Sequence, residues 1–469
     1  MSGKLDSLVT CKTSQGQSIL VPVRRLTRHL VVFEINDPNC VIRFSEALDS
    51  FEIKLNDQTV YSGRAVVSSV INTGTGIVCE AALKDGWINS PPASSGGNRS
   101  WSAQFDEFLK QWQKNYRIAP EFKLVIADLQ TMLLEMRVWL EQAEFGLQSQ
   151  PAGERAEAER GIINELQQPV LPALGTLCQK FEESCRDIPP EMEPVHRAYI
   201  QRQIHPLVLS APFMNRTFTK PLGYAGDYEM VNMMVRDPQE GPTLFAKLLN
   251  TFFLSTPPVV AHRNRIEYLK GILTREIARA ARHGTAAKIF NLGCGPAKEI
   301  QDFIAMSALS DLANFTLLDF NEETLRYTGG KLRELIAQNH RRTGLQMVER
   351  SIVQLLKESN RPNSSLFATR YDLVYCAGLF DYINDPVCQK LMDLFYNLLA
   401  PGGLLVATNV DSANPSVNWM GYVMDWHLIY RNGDQMGRIM PRQASPEECV
   451  IHCEPTGVNT FIEVRKPHG

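Results

Sequence analysis

The chain has 469 residues, of which 44% are hydrophobic, and its 48 basic and 51 acidic side chains give a formal net charge of −3. This length predicts two or three domains, and the charge gives no electrostatic reason to expect nucleic acid or an anionic membrane as a partner. The ten cysteines are scattered without zinc spacing, and we find neither a signal-peptide pattern nor an apolar run long enough to span a bilayer. We therefore expect a cytoplasmic protein with no metal site and no integral membrane segment; the sequence does not indicate its oligomeric state.

Residues 1–88 consist of short β-branched runs between turn residues, for example Leu30–Ile35 and Phe51–Leu55. This alternation predicts a small antiparallel β-barrel. Residues 89–100 are rich in Pro, Ser and Gly, and their composition predicts a linker.

The barrel carries a partial dinucleotide motif. Arg24 and Arg28 have Arg-x-x-x-Arg spacing, and Ser45 follows. The region resembles a PilZ domain, a family that binds cyclic di-GMP through such arginines and a later Asp/Asn-x-Ser-x-x-Gly. If Ser45 is the motif serine, Arg43 replaces the acid and Leu48 replaces the glycine. Because the guanine edge then loses its carboxylate partner, we predict a PilZ-like module that no longer binds cyclic di-GMP. The alternative for the arginines is an ordinary solvated edge.

Residues 101–244 show helical periods and a loop at 219–230. One apolar stripe, which we predict to be bundle core, comprises Phe122, Ile126, Leu129, Leu133, Met136 and Leu140.

The stretch from Lys288 to Ala297 predicts a strand, a turn at Gly293 and Gly295, and a following helix. Such a corner is typical of nucleotide binding, because the missing Cβ atoms admit a ligand to the backbone and the helix start offers free N–H groups. A dinucleotide fingerprint would need a third small residue at Lys298. Farther on, Asp319 ends a second predicted strand, where a carboxylate can accept both hydroxyls of a ribose.

Two more features follow in order: a strand at 371–376 that leads into Ala377 and Gly378, and the turn Pro401-Gly-Gly403 before another strand. Together with the corner, this series resembles class I S-adenosylmethionine (SAM)-dependent methyltransferases over residues 245–469. The resemblance implies an α/β Rossmann-like domain, with a mostly parallel sheet and an antiparallel last strand, and SAM as cofactor. Asn291 stands where an acid is common, and Ala297 replaces a glycine. We expect the cofactor to be bound by Asn291, Gly293, Cys294, Gly295, Asp319, Phe320, Ser351, Ile352, Ala377, Gly378 and Asp227.

The loop at 219–230 contains Lys220-Pro-Leu-Gly-Tyr-Ala-Gly-Asp227. With Gly378–Tyr382 and Asp425–Arg431, it resembles a narrower family whose members make the methyl ester of 3-hydroxypalmitic acid, a quorum-sensing signal. We interpret Gly223–Asp227 as a lid in which Tyr224 covers the sulfonium or the acceptor. Asp227 either pairs with the α-ammonium group of the cofactor or caps the helix that follows, and both are compatible.

A carboxylate acceptor is already ionised at neutral pH, so methyl transfer to it needs positioning more than an acid or base. We expect Tyr224, Tyr382, His427, Tyr430 and Arg431 to contact the acceptor. On a helix, residues 427, 430 and 431 would share one face, and Arg431 would either hold a carboxylate or form a surface salt bridge. For His427, a structural role is the alternative. The competing function is a regulatory cyclic di-GMP-binding protein in which the methyltransferase fold serves as a scaffold.

Overall fold

The structure is a computed structural model, and it describes residues 7–14, 16–35, 42–55, 58–72, 77–84, 86–88, 102, 105–106, 109–110, 117–359 and 365–468. The predicted linker at 89–100 lies outside the described residues. Contacts divide the chain into two compact units, the first comprising Met1–Ala225, Gln239–Phe253 and Ser416–His427, and the second Gly226–Pro238, Leu254–Pro415 and Leu428–Gly469. This division is discontinuous, whereas the four predicted segments follow one another along the chain.

A closed six-stranded barrel opens the first unit and confirms the predicted antiparallel β-structure. Its strands are β1 (Ser7–Lys12), β2 (Ser18–Leu26), β3 (Leu30–Ile35), β4 (Ala47–Leu55), β5 (Gln58–Asn72) and β6 (Ile77–Leu83), in the order β1-β2-β3-β6-β5-β4. Alternate residues such as Val9, Phe33 and Phe51 are fully buried inside the barrel. Period-two burial is what the β-branched runs predict.

Between residues 117 and 219 of the first unit the chain forms the helices α1 (Pro120–Leu147), α2 (Ala152–Ser184), α3 (Glu193–Val208) and α4 (Pro212–Thr219). The predicted stripe on α1 is confirmed for Phe122, Ile126, Leu129, Leu133 and Leu140, which are buried, whereas Met136 is only half-buried. A π-helical turn, Trp419–Val423, packs against α3 in the same unit.

The second unit contains the predicted sheet. Its strands are β7 (Ala287–Leu292), β8 (Ala313–Asp319), β9 (Gly344–Glu349), β10 (Tyr371–Cys376), β11 (Leu399–Val410), β12 (Cys449–Cys453) and β13 (Asn459–Arg465). They lie in the order β12-β13-β11-β10-β7-β8-β9. Strands β7 to β11 pair in parallel, whereas β13 is antiparallel to β11 and forms a hairpin with β12. The mostly parallel sheet with an antiparallel last strand is thus confirmed.

The remaining helices connect these strands or precede them in the chain: α5 (Tyr228–Val235), α6 (Leu244–Leu254), α7 (Pro257–Arg282), α8 (Lys298–Met306), α9 (Glu322–Gln338), α10 (Ile352–Ser359), α11 (Ser365–Ala368), α12 (Asp385–Leu398) and α13 (Gly433–Arg438). Strands β8 and β9 extend the sheet on one side of β7, and β10 and β11 extend it on the other. The chain therefore reverses its direction of growth between β7 and β10. In open α/β sheets, ligands bind outside the carboxyl ends of the strands at such a point.

Within the described part of the chain, no single helix is long and apolar enough to cross a membrane, although α6 and α7 together reach the required length and composition.

Candidate functional site at the carboxyl edge of the sheet

The glycine corner follows β7 as the sequence predicts. Gly293 and Gly295 have φ angles of +70° and +50°, a region that side chains rarely adopt. The backbone N–H groups of Gly293 and Cys294 both donate to the carbonyl of Leu318, at 2.8 and 3.2 Å. A Cβ atom on Gly295 would meet nothing within 4 Å, so the backbone there is open to a ligand. Ala297, the departure from the family pattern, also has a left-handed φ of +50° and caps α8 without a glycine.

Asp319 ends β8 beside this corner and is only 7% exposed. Its Oδ1 accepts hydrogen bonds from the N–H groups of Phe320 and Asn321, at 2.8 and 3.1 Å, and its Oδ2 accepts one from Gly295 at 3.2 Å. The carboxylate therefore ties the end of β8 to the open glycine.

Asn291 lies in β7, two residues before the corner, and is almost fully buried. Its side-chain Oδ1 is buried and accepts no hydrogen bond from any described residue. A buried acceptor left unpaired costs about 1–3 kcal/mol, so a donor on a ligand would stabilise it. Tyr375 on the next strand uses its hydroxyl to donate to Glu299 at 2.7 Å. Burial, with Glu299 beside it, holds the pKa of Tyr375 well above its ordinary value, so the phenol stays protonated.

The loop after β10 lies against the corner. A Cβ on Gly293 would be 3.5 Å from the side chain of Leu379, which makes this loop a neighbour of the glycine turn. Ala377 and Gly378, both half-buried, begin the loop, and the N–H of Gly378 donates to Thr408 Oγ1 at 3.2 Å. The predicted glycine, acid and post-β10 residues thus lie at one edge of the sheet, around the point where its growth reverses.

The other predicted cofactor residues occupy neighbouring strand ends. Phe320 is half-buried directly after Asp319. Ser351 follows β9 and begins α10 by exchanging hydrogen bonds with Gln354, at 2.9 and 3.3 Å. Ile352 is mostly buried in the hydrophobic core. Cys294 is buried as well, and burial raises the pKa of its thiol well above the ordinary value, which favours a packing role.

Asp227 is the N-cap of α5, since its Oδ1 accepts from the N–H of Met230 at 2.8 Å. The capping alternative from the sequence is therefore confirmed, and pairing with an ammonium group stays a prediction. Gly226, directly before it, has a φ of +81°, and a Cβ there would lie 2.9 Å from the hydroxyl of Tyr382. In the second unit the end of the predicted lid thus lies against Tyr382. Tyr224 belongs to the first unit and is half-buried.

The segment containing the predicted acceptor residues requires a correction. Residues 425–432 are not helical, so His427, Tyr430 and Arg431 do not share a helix face. The reason lies at Asp425, whose left-handed φ of +48° ends the π-helical turn. Tyr430 is half-buried and, like Arg431, belongs to the second unit, whereas His427 belongs to the first.

Arg431 is 1% exposed and donates five hydrogen bonds of 2.7–2.9 Å within the second unit. Its acceptors are the Asp385 carboxylate, the carbonyls of Phe380 and Ile383, and Asn409 Oδ1. A guanidinium has five N–H donors, so none is left for a substrate carboxylate. Arg431 is a structural residue that fastens the loop after β10 to β11. The predicted salt bridge is present, at 2.7 Å to the exposed Asp385, but the arginine itself is buried and not on the surface.

In the first unit, the motif serine of the barrel is engaged by the chain itself. The Ser45 hydroxyl is fully buried, lies 3.1 and 3.0 Å from the carbonyl oxygens of Asp425 and His427, and accepts a short hydrogen bond from the His427 N–H. Arg24, the first motif arginine, pairs with Glu34 at 2.5 Å. Arg43 is buried and donates its backbone N–H to Glu46, and Leu48 is a core residue of the barrel. These contacts agree with the predicted loss of cyclic di-GMP binding, which stays a prediction.

Two buried residues near the sheet edge were not predicted. The Arg265 guanidinium on α7 lies 3.1 Å from the position of a Cβ on Gly378, and Asp381 accepts from the N–H of Val410 at 2.6 Å. Burial lowers the pKa of the Arg265 guanidinium from its ordinary value, while Asp381 and Glu299 oppose this shift. Asp381 lies within the Gly378–Tyr382 segment named in the sequence analysis, which is the signal that could have found it, whereas Arg265 stands in no recognisable motif. Among the described residues, no group of three or more His, Cys, Asp or Glu side chains could hold a metal ion.

No protein-family model matches the chain, and no curated protein matches it significantly. Solved structures give weak similarities. An exported-protein candidate from Bordetella parapertussis has 17% identity and a TM-score of 0.38, over 54% of this chain and 86% of its own. Magnesium protoporphyrin IX methyltransferase from Synechocystis PCC 6803, with bound S-adenosylhomocysteine, has 10% identity and a TM-score of 0.35, over 54% and 97%. The N-methyltransferase NodS from Bradyrhizobium japonicum WM9 has 14% identity and a TM-score of 0.31, over 51% and 98%. Similarity at this level does not define a family.

Proposed function

We propose that the second unit binds SAM at the Gly293–Gly295 corner and that the chain is a SAM-dependent methyltransferase acting on a small molecule. One observation carries the proposal. The open glycine corner and the buried carboxylate of Asp319 are joined by a hydrogen bond at the sheet edge, where the growth of the sheet reverses between β7 and β10, and Asn291 on β7 has a buried acceptor without a partner. SAM suits this set of acceptors, because its ribose offers two hydroxyl donors and its α-amino acid group offers an ammonium.

The residues fit the cofactor by their hydrogen-bonding capacity. Asp319 would accept the ribose hydroxyls, and the open backbone at Gly295 admits the ligand without a steric clash. Asn291 Oδ1 would accept a hydrogen bond from the ammonium side of the ligand, which relieves its buried, unpaired state. When bound, SAM supplies a methyl group activated by a sulfonium. The described residues then need only to hold the acceptor and to exclude water.

For the acceptor, we propose a carboxylate of the 3-hydroxy fatty acid type or a related signal molecule. A carboxylate is ionised at neutral pH, so the reaction needs no general base, and positioning alone can contribute about 7–11 kcal/mol. Tyr224, Tyr382 and Tyr430 stay our predicted acceptor contacts. Burial, with Arg197 nearby, lowers the pKa of His427 well below its ordinary value, so we retain it as a neutral hydrogen-bonding group and not as a base.

Calorimetric titration with S-adenosylhomocysteine tests the cofactor assignment. We expect binding by the wild-type chain and a loss of more than about tenfold in Asp319→Ala, because charge-assisted ribose contacts disappear. Asp319→Asn keeps one acceptor oxygen, so its affinity for S-adenosylhomocysteine should lie between those of the wild type and Asp319→Ala. Asp302→Asn on α8, which removes a carboxylate that pairs with Lys298, is the matched control and should bind normally.

The same titration with cyclic di-GMP separates the two functional classes. Binding of cyclic di-GMP without binding of S-adenosylhomocysteine would favour the regulatory alternative and overturn the proposal. To identify the acceptor, the protein is incubated with SAM labelled on its methyl group and a cell extract, and labelled products are identified by mass spectrometry. A labelled ester of a hydroxy fatty acid supports the acceptor class, whereas a labelled amine or nucleic acid contradicts it.

A further inference from the structure

We propose that the first unit contains a binding site for the carboxylate of a small molecule, formed by Arg197 with Lys220 and His427 beside it. This site is independent of the glycine corner, and it stands whether or not the second unit binds SAM.

The first observation is a buried arginine without a full set of partners. Arg197 lies on α3, is 7% exposed, and its buried Nε forms no hydrogen bond with any described residue. A buried guanidinium is destabilising unless its donors and charge are compensated. Its forked donors match a planar carboxylate. Gln201, one turn farther along α3, is by contrast satisfied, because its Nε2 donates to Tyr422 and Asp425 at 2.7 and 3.0 Å.

The second observation is a buried ring nitrogen of His427 that has no hydrogen-bond partner among the described residues. His427 Nε2 is buried and makes no hydrogen bond to any described residue, although its backbone is fixed by Ser45. The positive charge of Arg197 is one of the causes that lower the pKa of this imidazole, after burial itself, so the two side chains are electrostatic neighbours. A neutral imidazole can donate one N–H, and an anion beside Arg197 would accept it.

The third observation is the balance of charge. Asp425 is the acid that three cations share: burial opposes the shift, but the charges of Lys84, Lys220 and Arg197 together lower its pKa. Lys84 forms an ion pair with it, and Lys220, which is 2% exposed, donates its Nζ to the Met424 carbonyl at 3.2 Å. Glu193, one turn before Arg197 on α3, is a second acid that the charge of Arg197 reaches, and burial raises its pKa. Three cations therefore face two acids, and the excess of about one positive charge suits a monoanion.

A titration of the full chain with sodium octanoate tests this site, with octanamide as the uncharged ligand of equal length. We expect octanoate to bind with one-to-one stoichiometry and octanamide not to bind. Arg197→Gln should weaken octanoate binding at least about tenfold, because charge-assisted hydrogen bonds are lost. The matched control is Arg202→Gln, which removes an exposed arginine from the same helix and should leave binding unchanged.

Stability measurements of the ligand-free protein keep the test decisive if a variant binds poorly for structural reasons. Because the buried Nε of Arg197 has no hydrogen-bond partner among the described residues, which is unfavourable in the free protein, Arg197→Gln should unfold at the same temperature as the wild type or at a higher one. Absent octanoate binding by the wild type would overturn the proposal, and a lower unfolding temperature of Arg197→Gln would overturn the premise that Arg197 lacks a partner in the free protein. Tighter binding of inorganic phosphate than of octanoate would overturn the carboxylate class. Arg197→Lys should bind more weakly than the wild type, since it keeps the charge but loses the fork.

Discussion

Each of the two units contains a sequence pattern that resembles a nucleotide-binding motif, and the polar groups of the two patterns differ in whether the chain itself engages them. At the sheet edge of the second unit, Gly295 is open and Asn291 has an unpaired acceptor. In the barrel of the first unit, the motif serine Ser45 is fully buried and bonded to the backbone of Asp425 and His427. A motif therefore indicates ligand binding only while its polar groups stay available. Once the chain itself satisfies them, the same residues contribute to stability.

The largest expected effect concerns Arg431, a predicted ligand residue that the structure shows to be structural. Arg431→Met leaves buried acceptors on Phe380 and Asn409 without donors, so we expect the free energy of unfolding to fall by about 3 kcal/mol. Chemical denaturation measures this change. Arg442→Met, which removes an exposed arginine of the same unit, is the control and should change stability little. A stable Arg431→Met protein with weakened acceptor binding would restore the ligand role.

A smaller loss is expected at the barrel motif. Ser45→Ala removes the hydroxyl that contacts the backbone of Asp425 and His427, and it leaves the His427 N–H without its acceptor. We therefore expect the free energy of unfolding to decrease by about 1–3 kcal/mol. Ser68→Ala in the same barrel removes only weak contacts of 3.3 and 3.4 Å to Glu80 and serves as the control. If Ser45→Ala were as stable as the wild type, the contrast between the two motifs would fail.

Much of the fold could be predicted from local patterns, because these patterns record short-range physics. Alternation along β4 and the apolar stripe on α1 follow from burial of one face, and the corner at Gly293 follows from residues within ten positions. The last hairpin, Cys449–Cys453 with Asn459–Arg465, was likewise predictable from its two apolar runs and the turn between them.

The site was less predictable, because its groups depend on partners that are distant in sequence. Ser45 bonds a segment 380 residues away, and no spacing in either stretch reveals this contact. The spacing of Arg431 and His427 in the sequence predicts one helix face for both, but the left-handed backbone at Asp425 prevents that helix. The surroundings of Arg197 were likewise not predictable from local sequence, because its neighbours, such as His427, lie on other elements.

The smallest expected effect, taken per unit of pH, is a dependence of stability on pH that belongs to the first unit. Burial lowers the pKa of Lys220 from 10.5 to about 7; Arg64 and Lys84 add to this shift, and Asp425 opposes it. Above pH 7 the unfolded chain holds this proton more tightly than the folded chain does. The free energy of unfolding should therefore rise between pH 7 and pH 9, by at most about 1.4 kcal/mol per pH unit from this group.

Denaturation of the wild type and of Lys220→Met at pH 7, 8 and 9 isolates this contribution. The difference between the two proteins should shift in favour of the wild type as pH rises, because only the wild type loses the unfavourable buried charge. Lys123→Met, which removes an exposed lysine on α1, should show the same change in the free energy of unfolding with pH as the wild type. If Lys220→Met also showed the same change, Lys220 would be fully protonated up to pH 9, and its charge would have to be balanced within the first unit.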